Sequence, residues 1–204
     1  MRVYHRPGAG RPIRALWALE EAGIPYDLEI VSAEGDSAEQ HRARHPLGRV
    51  PVLEEDDGRT VFESSAICLR AAELAPGTDL IPAVGTFERA LTYQWLFFVM
   101  TEIEPSAITA MRARRAADGQ EDESALRRVG RGLEAVEAAL VDREYILGES
   151  FSIADVVVSE VTSMTQRLSV GEPGPNLVAY FERLAARPAR ERAVAKIAAG
   201  AESA

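Results

Sequence analysis

The sequence predicts an α/β half of order β-α-β-α-β-β-α followed by an all-helical half. Three observations predict it. In the first eighty residues, short apolar runs alternate with segments of helical period. Pro76 and Gly77 then open a breaker-rich linker that lasts to about Gly85. Beyond it no segment alternates as a strand does, and long segments repeat near every 3.6 residues.

Arg2–His5 is a short strand, ended by Pro7 and Gly8. Pro12–Gly23 is a helix. Ile13, Leu16, Trp17 and Leu19 follow the helical period, Pro12 is tolerated in a first turn, and Gly23 suits the stop. Tyr26–Val31 is a second strand. Ser37–His45 is a short polar helix that ends before Pro46, because the residue before a proline avoids the α region. Val50–Leu53 and Arg59–Phe62 flank Glu54, Glu55, Asp56, Asp57 and Gly58, and an Asp-Gly pair between apolar runs signals a hairpin. The acidic run reads as a solvated turn rather than a metal or catalytic cluster. Ser64 or Ser65 opens a helix to about Leu74. Parallel strands joined by crossover helices and closed by an antiparallel hairpin make an α/β thioredoxin-like unit.

The second half reads as helices over Thr86–Ala117, Glu123–Leu140, Ile153–Leu168 and Asn176–Ala186, with a short one after Pro188. Pro105 predicts a kink or break inside the first of these. The start at Ser152 is the most explicit boundary. Ser152 is the N-cap, Asp155 the N3 partner of a capping box, and Phe151 with Val156 a hydrophobic staple. Such a cap contributes about 1 kcal/mol. The expected domains are 1–77 and 86–204, joined by a linker at 78–85.

Composition narrows the function. Of 204 residues, 47% are apolar and 27% charged, which fits a globular protein and excludes a disordered tail. The 23 Lys and Arg against 32 Asp and Glu give a net charge of −9, which argues against a nucleic-acid partner. Cys68 is the only cysteine, so no internal disulfide exists. Lys196 is the only lysine, so nearly every cation is an arginine, whose fork suits carboxylates. His5, His41 and His45 show no metal-ligand spacing, and no metal is expected. No leader-like run opens the chain. The most apolar windows, Trp95–Met100 and Asp155–Val161, fall far short of the ~20 residues of a membrane span. A cytoplasmic protein without membrane partners is expected.

Gly10–Tyr26, Pro46–Leu53, Glu63–Ile67 and the Ser152–Asp155 capping box occur in an order and spacing that resemble the cytosolic glutathione transferases over almost the whole chain. The resemblance implies glutathione as co-substrate, a hydrophobic small-molecule electrophile as acceptor, a role in detoxification, and a homodimer. It implies a cis Val50–Pro51 bond that presents the backbone of Val50 to the cysteinyl part of glutathione, as an added strand would. It sets Glu63 and Ser64 at the γ-glutamyl clamp. There a helix N-terminus offers N–H groups and partial positive charge to the α-carboxylate, Ser64 adds a hydroxyl, and Glu63 receives the ammonium. A plain helix cap is the alternative role of Ser64. Arg49 stands near where a basic residue meets the glycyl carboxylate, or else is a surface arginine.

The sequence departs from the family at the thiol-activating position. A free thiol titrates near ~8.5, so little is thiolate at neutral pH. Members lower that value with a Ser, Cys or Tyr near the end of the first strand or the start of the first helix. Pro7, Gly8, Ala9 and Gly10 resemble a Pro-Gly-Ala-Cys motif, but Gly10 holds the Cys or Ser position. A mechanism through a protein cysteine is thereby excluded there, and Cys68, between Ile67 and Leu69, reads as a small core residue. Three candidates remain for holding the thiolate: the backbone at Gly10 and the helix dipole, the guanidinium of Arg11, or a side chain at the end of the first strand, Tyr4 or His5.

Candidate liners of the electrophile pocket are Phe98, Met100, Met111, Arg112 and Met164. Glu102 and Glu104 either face the cleft or, the safer reading, form a solvated face. The leading expectation is conjugation of the glutathione thiolate to hydrophobic electrophiles. Glutathione-dependent reduction of peroxides or disulfides, or glutathione binding without chemistry, are the alternatives, the last favoured by Gly10.

Overall fold

A computed structural model of the chain describes residues 1–32, 34–116 and 119–202. The predicted helix end at Ala117 and the expected domain end at residue 204 lie outside them. The described residues form two compact units, Met1–Leu80 with the residues from Ala186 on, and Ile81–Ala185.

The first unit contains β1 (Arg2–His5), α1 (Pro12–Glu21), β2 (Asp27–Ile30), α2 (Gly35–Arg42), β3 (Val52–Glu54), β4 (Thr60–Phe62) and α3 (Ser64–Leu74). The sheet order is β2-β1-β3-β4, with β2 parallel to β1 and both β3 and β4 antiparallel to their neighbours. The hairpin turns at Gly58, whose φ of 84° suits a residue without a Cβ. Only part of the acidic run is solvated: Asp56 and Asp57 are exposed, whereas Glu54 and Glu55 are half-buried; Glu55 meets Arg70 at 2.6 Å, and Asp57 meets Arg59 at 2.7 Å. Leu16, Trp17, Leu19, Leu53 and Ile67 are fully buried. Each such side chain contributes roughly 1.5–3 kcal/mol by leaving water.

The last helix is longer than the short one expected: α9 (Pro188–Glu202) has 15 residues, and it groups with the first compact unit. Acidic residues at the end of α1 hold it. Arg192 Nε meets Glu20 at 2.7 Å and Lys196 Nζ meets it at 2.9 Å, while Arg187, just before α9, forks onto Glu21. Burial alone would push the Glu20 carboxyl up, but the hydrogen bonds from Arg192, Lys196 and Tyr26 hold it below its ordinary value.

The second unit contains α4 (Phe87–Phe98), α5 (Glu104–Arg115), α6 (Glu123–Ala139), α7 (Ile153–Arg167) and α8 (Pro175–Ala185). The predicted break at Pro105 is a π-turn over Val99–Ile103, immediately ahead of the proline. Proline lacks the N–H that would bond back to Thr101, and its ring crowds that carbonyl. A wider turn relieves both, and the Glu104 N–H reaches back to the Val99 carbonyl instead. The capping box of α7 forms as expected. Asp155 also accepts from the Ile146 N–H and the Tyr180 hydroxyl, each at 2.8 Å. Among the described residues, no helix is long and apolar enough to cross a membrane, and no group of three or more His, Cys, Asp or Glu is placed to hold a metal ion.

Candidate functional site

Two local geometries bring the predicted glutathione residues together within the first unit. The first is the sheet register. Val52 pairs with Phe62, and Tyr4 with Val52. Pro51 directly precedes Val52 and Glu63 directly follows Phe62, so both stand at the same end of the β3–β4 ladder. The second is helix packing. Arg14, one turn into α1, donates from Nη1 to the Ser64 Oγ at 3.3 Å. The first turn of α1, preceded by Gly10 and Arg11, is therefore tied to the first turn of α3.

The Val50–Pro51 peptide bond is cis. Pro51 is buried, Val50 half-buried and Arg49 exposed. The segment ahead of them is pinned by side chains the sequence reading passed over. His41 Nε2 donates to the Arg49 carbonyl at 2.8 Å, and Arg6 donates to the carbonyls of Val31, Ser32 and Gly48. No short-range pattern marks either contact, because each joins residues from separate elements.

Glu63 precedes α3 with φ 71° and ψ 116°, a conformation that costs a non-glycine residue of order 1–3 kcal/mol and recurs at ligand sites. Its side chain is exposed and does not cap the helix. Ser64 is buried at 1% exposure, and the Ser65 Oγ is buried without a hydrogen-bond partner.

The residues behind the three candidates for the thiolate separate clearly. Gly10 is exposed, and a Cβ built on it would meet nothing within 4 Å. Arg11 is the N-cap residue of α1, half-buried, and makes no side-chain cap hydrogen bond there. Tyr4 lies on the other face of the sheet, its ring 5.6 Å from that of His41, and its hydroxyl donates to Glu54. Burial and that hydrogen bond raise its pKa, the opposite of what an anion-stabilising phenol needs. His5 is sealed at 1% exposure with neither ring nitrogen hydrogen-bonded, and burial lowers its pKa. The alternation of β1 thus presents neither ring to solvent. Cys68 is a core residue: its Sγ donates to the Arg14 carbonyl, and burial pushes its thiol up to about 12.

The expected electrophile liners all belong to the second unit. Phe98, Met100, Met111 and Met164 are half-buried and Arg112 is exposed. Phe98 spends one ring edge on Trp95, centroid to centroid 5.7 Å. Glu102 is exposed as expected, but Glu104 is not a solvated carboxylate: it is 1% exposed at the end of the π-turn. That turn rotates the helix register, which a strict 3.6-residue count misses.

Comparison with known proteins places the fold in a family. Residues 12–74 match the family model of the glutathione S-transferase N-terminal domain, and residues 89–188 that of the C-terminal domain. The chain is 32% identical to glutathione S-transferase 4 of Zea mays, with 92% of this chain and 89% of the relative covered. Among solved structures, the bacterial transferase BphK in a ternary complex superposes with a TM-score of 0.86 at 30% identity, covering 97% of this chain and 100% of that one. A sphingomonad glutathione S-transferase in complex with glutathione gives a TM-score of 0.83 at 25% identity, covering 97% and 99%.

Proposed function

The chain belongs to the glutathione S-transferase family, and from that premise we propose that it binds glutathione in the first unit, stabilises the thiolate and transfers it to a hydrophobic electrophile. The observation that carries the reading is the junction of α1 and α3 through Arg14 and Ser64, beside the Pro51 and Glu63 positions. One helix start faces the γ-glutamyl carboxylate, and the other supplies the Gly10 backbone and Arg11 for the sulfur. Both starts carry partial positive charge of about half an elementary charge. Arg49 supplies the cation for the glycyl carboxylate.

Gly10 favours a second reading, glutathione binding without conjugation, because no hydroxyl or thiol stands at that position. A pH titration of bound glutathione, followed by thiolate absorbance in the ultraviolet, decides between them. A thiol pKa well below the free value, with conjugation of a chloronitrobenzene, supports the transferase. Binding with an unshifted thiol overturns it. Arg11→Ala locates the effect: a pKa that returns toward the free value assigns it to the guanidinium, and one that stays low assigns it to the backbone of α1. Hydroperoxide and disulfide substrates assayed in parallel test the reductase alternative.

A homodimer fits apolar side chains left at the surface, Leu47 and Phe62 in the first unit and Phe87 and Phe97 in the second. Light scattering of the purified chain tests it. The assignment to detoxification in the cytoplasm follows from the transferase reading and is tested by cell fractionation and by the sensitivity of a deletion strain to electrophiles.

A further inference from the structure

Ser64 is almost completely buried, and its Oγ accepts one hydrogen bond, from Arg14. Among the described residues its own hydroxyl hydrogen has no acceptor. A guanidinium carries donors only, so Arg14 fixes the serine oxygen as the acceptor on its side and leaves the hydroxyl hydrogen to point elsewhere. A hydroxyl that accepts from a cation is also a stronger donor. Around it, the first N–H groups of α3 require an acceptor from outside the helix. The Glu63 side chain supplies no cap, and the neighbouring Ser65 Oγ is buried with no partner. What completes this set is one acceptor group with several lone pairs, a carboxylate.

We propose that Arg14 is a positioning residue for glutathione. Acting through Ser64, it turns that hydroxyl into a fixed donor to the γ-glutamyl α-carboxylate, and so makes the site select glutathione over thiol peptides that lack the γ-glutamyl residue. The proposal rests on the glutathione-binding reading above and adds to it the source of its peptide specificity. Arg14 itself stays beneath the site: its guanidinium is 2% exposed, and its backbone carbonyl accepts from Cys68.

The experiment is calorimetric titration of the full chain with glutathione and with cysteinylglycine, which keeps the thiol and the glycyl carboxylate but lacks the γ-glutamyl group. Arg14→Met should weaken glutathione binding roughly tenfold, the scale of one hydrogen bond to a charged group, and leave cysteinylglycine binding unchanged. Ser64→Ala should do the same, and the double variant should lose no more than either single one. Should Arg14→Met fail to fold, Arg14→Lys, with a single ammonium group in place of a planar fork, replaces it; an intermediate loss confined to glutathione is then expected. Equal weakening of both peptides shows a merely structural role and overturns the proposal, as does unaltered glutathione binding by a folded Arg14 variant. Absence of glutathione binding by the native chain overturns the functional reading and this proposal together. Native binding without an Arg14 effect overturns this proposal alone.

Discussion

The Tyr4 hydroxyl donates to Oε2 of Glu54 at 2.9 Å, and Arg44 meets the same oxygen at 3.2 Å while its guanidinium lies 4.4 Å from the centre of the Tyr4 ring. This cluster ties β1, β3 and the segment just after α2 together on the face of the sheet away from His5. Tyr4→Phe is therefore expected to leave the conjugation rate unchanged and to lower the unfolding free energy by about 1 kcal/mol, the net worth of one hydrogen bond. Urea unfolding and initial rates measured on the same preparation check both halves. A collapse in rate without loss of stability would return Tyr4 to the catalytic candidates.

Gly10 is not held in a glycine-only conformation, and a Cβ there enters open space. Gly10→Ser should fold as the native chain does, within about 0.5 kcal/mol. A serine hydroxyl that reaches the sulfur adds a charge-assisted hydrogen bond, which lowers the thiol pKa of bound glutathione by about 1–2 units. The thiolate titration reads this directly, with Gly10→Ala as the control for the side chain alone. An identical pKa in all three proteins would show that position 10 does not face the sulfur.

Burial holds His5 below its ordinary pKa, so the folded chain keeps this ring neutral where the unfolded chain protonates it. Below about pH 6.5 the unfolded state then binds more protons, and stability falls as pH falls, by up to ~1.4 kcal/mol per pH unit for one group. His45 is lowered too, chiefly by burial, and adds in the same direction. Carboxylates held low by arginines, such as Glu55 beside Arg70, contribute at lower pH, below their ordinary range. Urea midpoints between pH 7.5 and about 5 should decline for the native chain and decline less steeply for His5→Phe. Parallel declines would place the sensitivity elsewhere.

Gly132 of α6 packs against the π-turn. A Cβ added there would lie 2.5 Å from Cγ1 of Ile103, a fully buried side chain. Gly132→Ala should cost about 1–3 kcal/mol through overpacking. Combined with Ile103→Ala, which removes the opposing atoms, the loss should be smaller than the sum of the two single losses. Thermal or urea unfolding of the four proteins closes the cycle, and simple additivity would contradict the contact.

Local patterns carried much of this protein. The strand at Arg2–His5, the helix start at Pro12, the Asp57–Gly58 turn and the Ser152–Asp155 cap are each written within a few neighbouring residues, and each appears in the structure. The resemblance to relatives supplied the cis Val50–Pro51 bond, which no periodicity announces. What escaped was long in sequence separation. Arg14 reads as one more polar residue on a helix until α3 brings Ser64 against it, 50 positions away. Nothing local in sequence marks Arg187, Arg192 and Lys196 as partners of Glu20 and Glu21 at the opposite end of the chain. Glu104 reads as exposed only if the helix keeps an even turn through Pro105, and it does not.

The sealed thiol of Cys68 has a practical corollary. It is the sole sulfhydryl in the chain, fully buried, and burial pushes its pKa up, so a thiol reagent has nothing to modify while the first unit is folded. The rate at which native protein takes up such a reagent thus becomes a clock for the opening of that unit, readable by mass alone. Run with and without an S-alkylated glutathione, which has no free thiol to consume the reagent, the clock converts ligand affinity into slowed labelling, and it does so for catalytically dead variants as readily as for active ones.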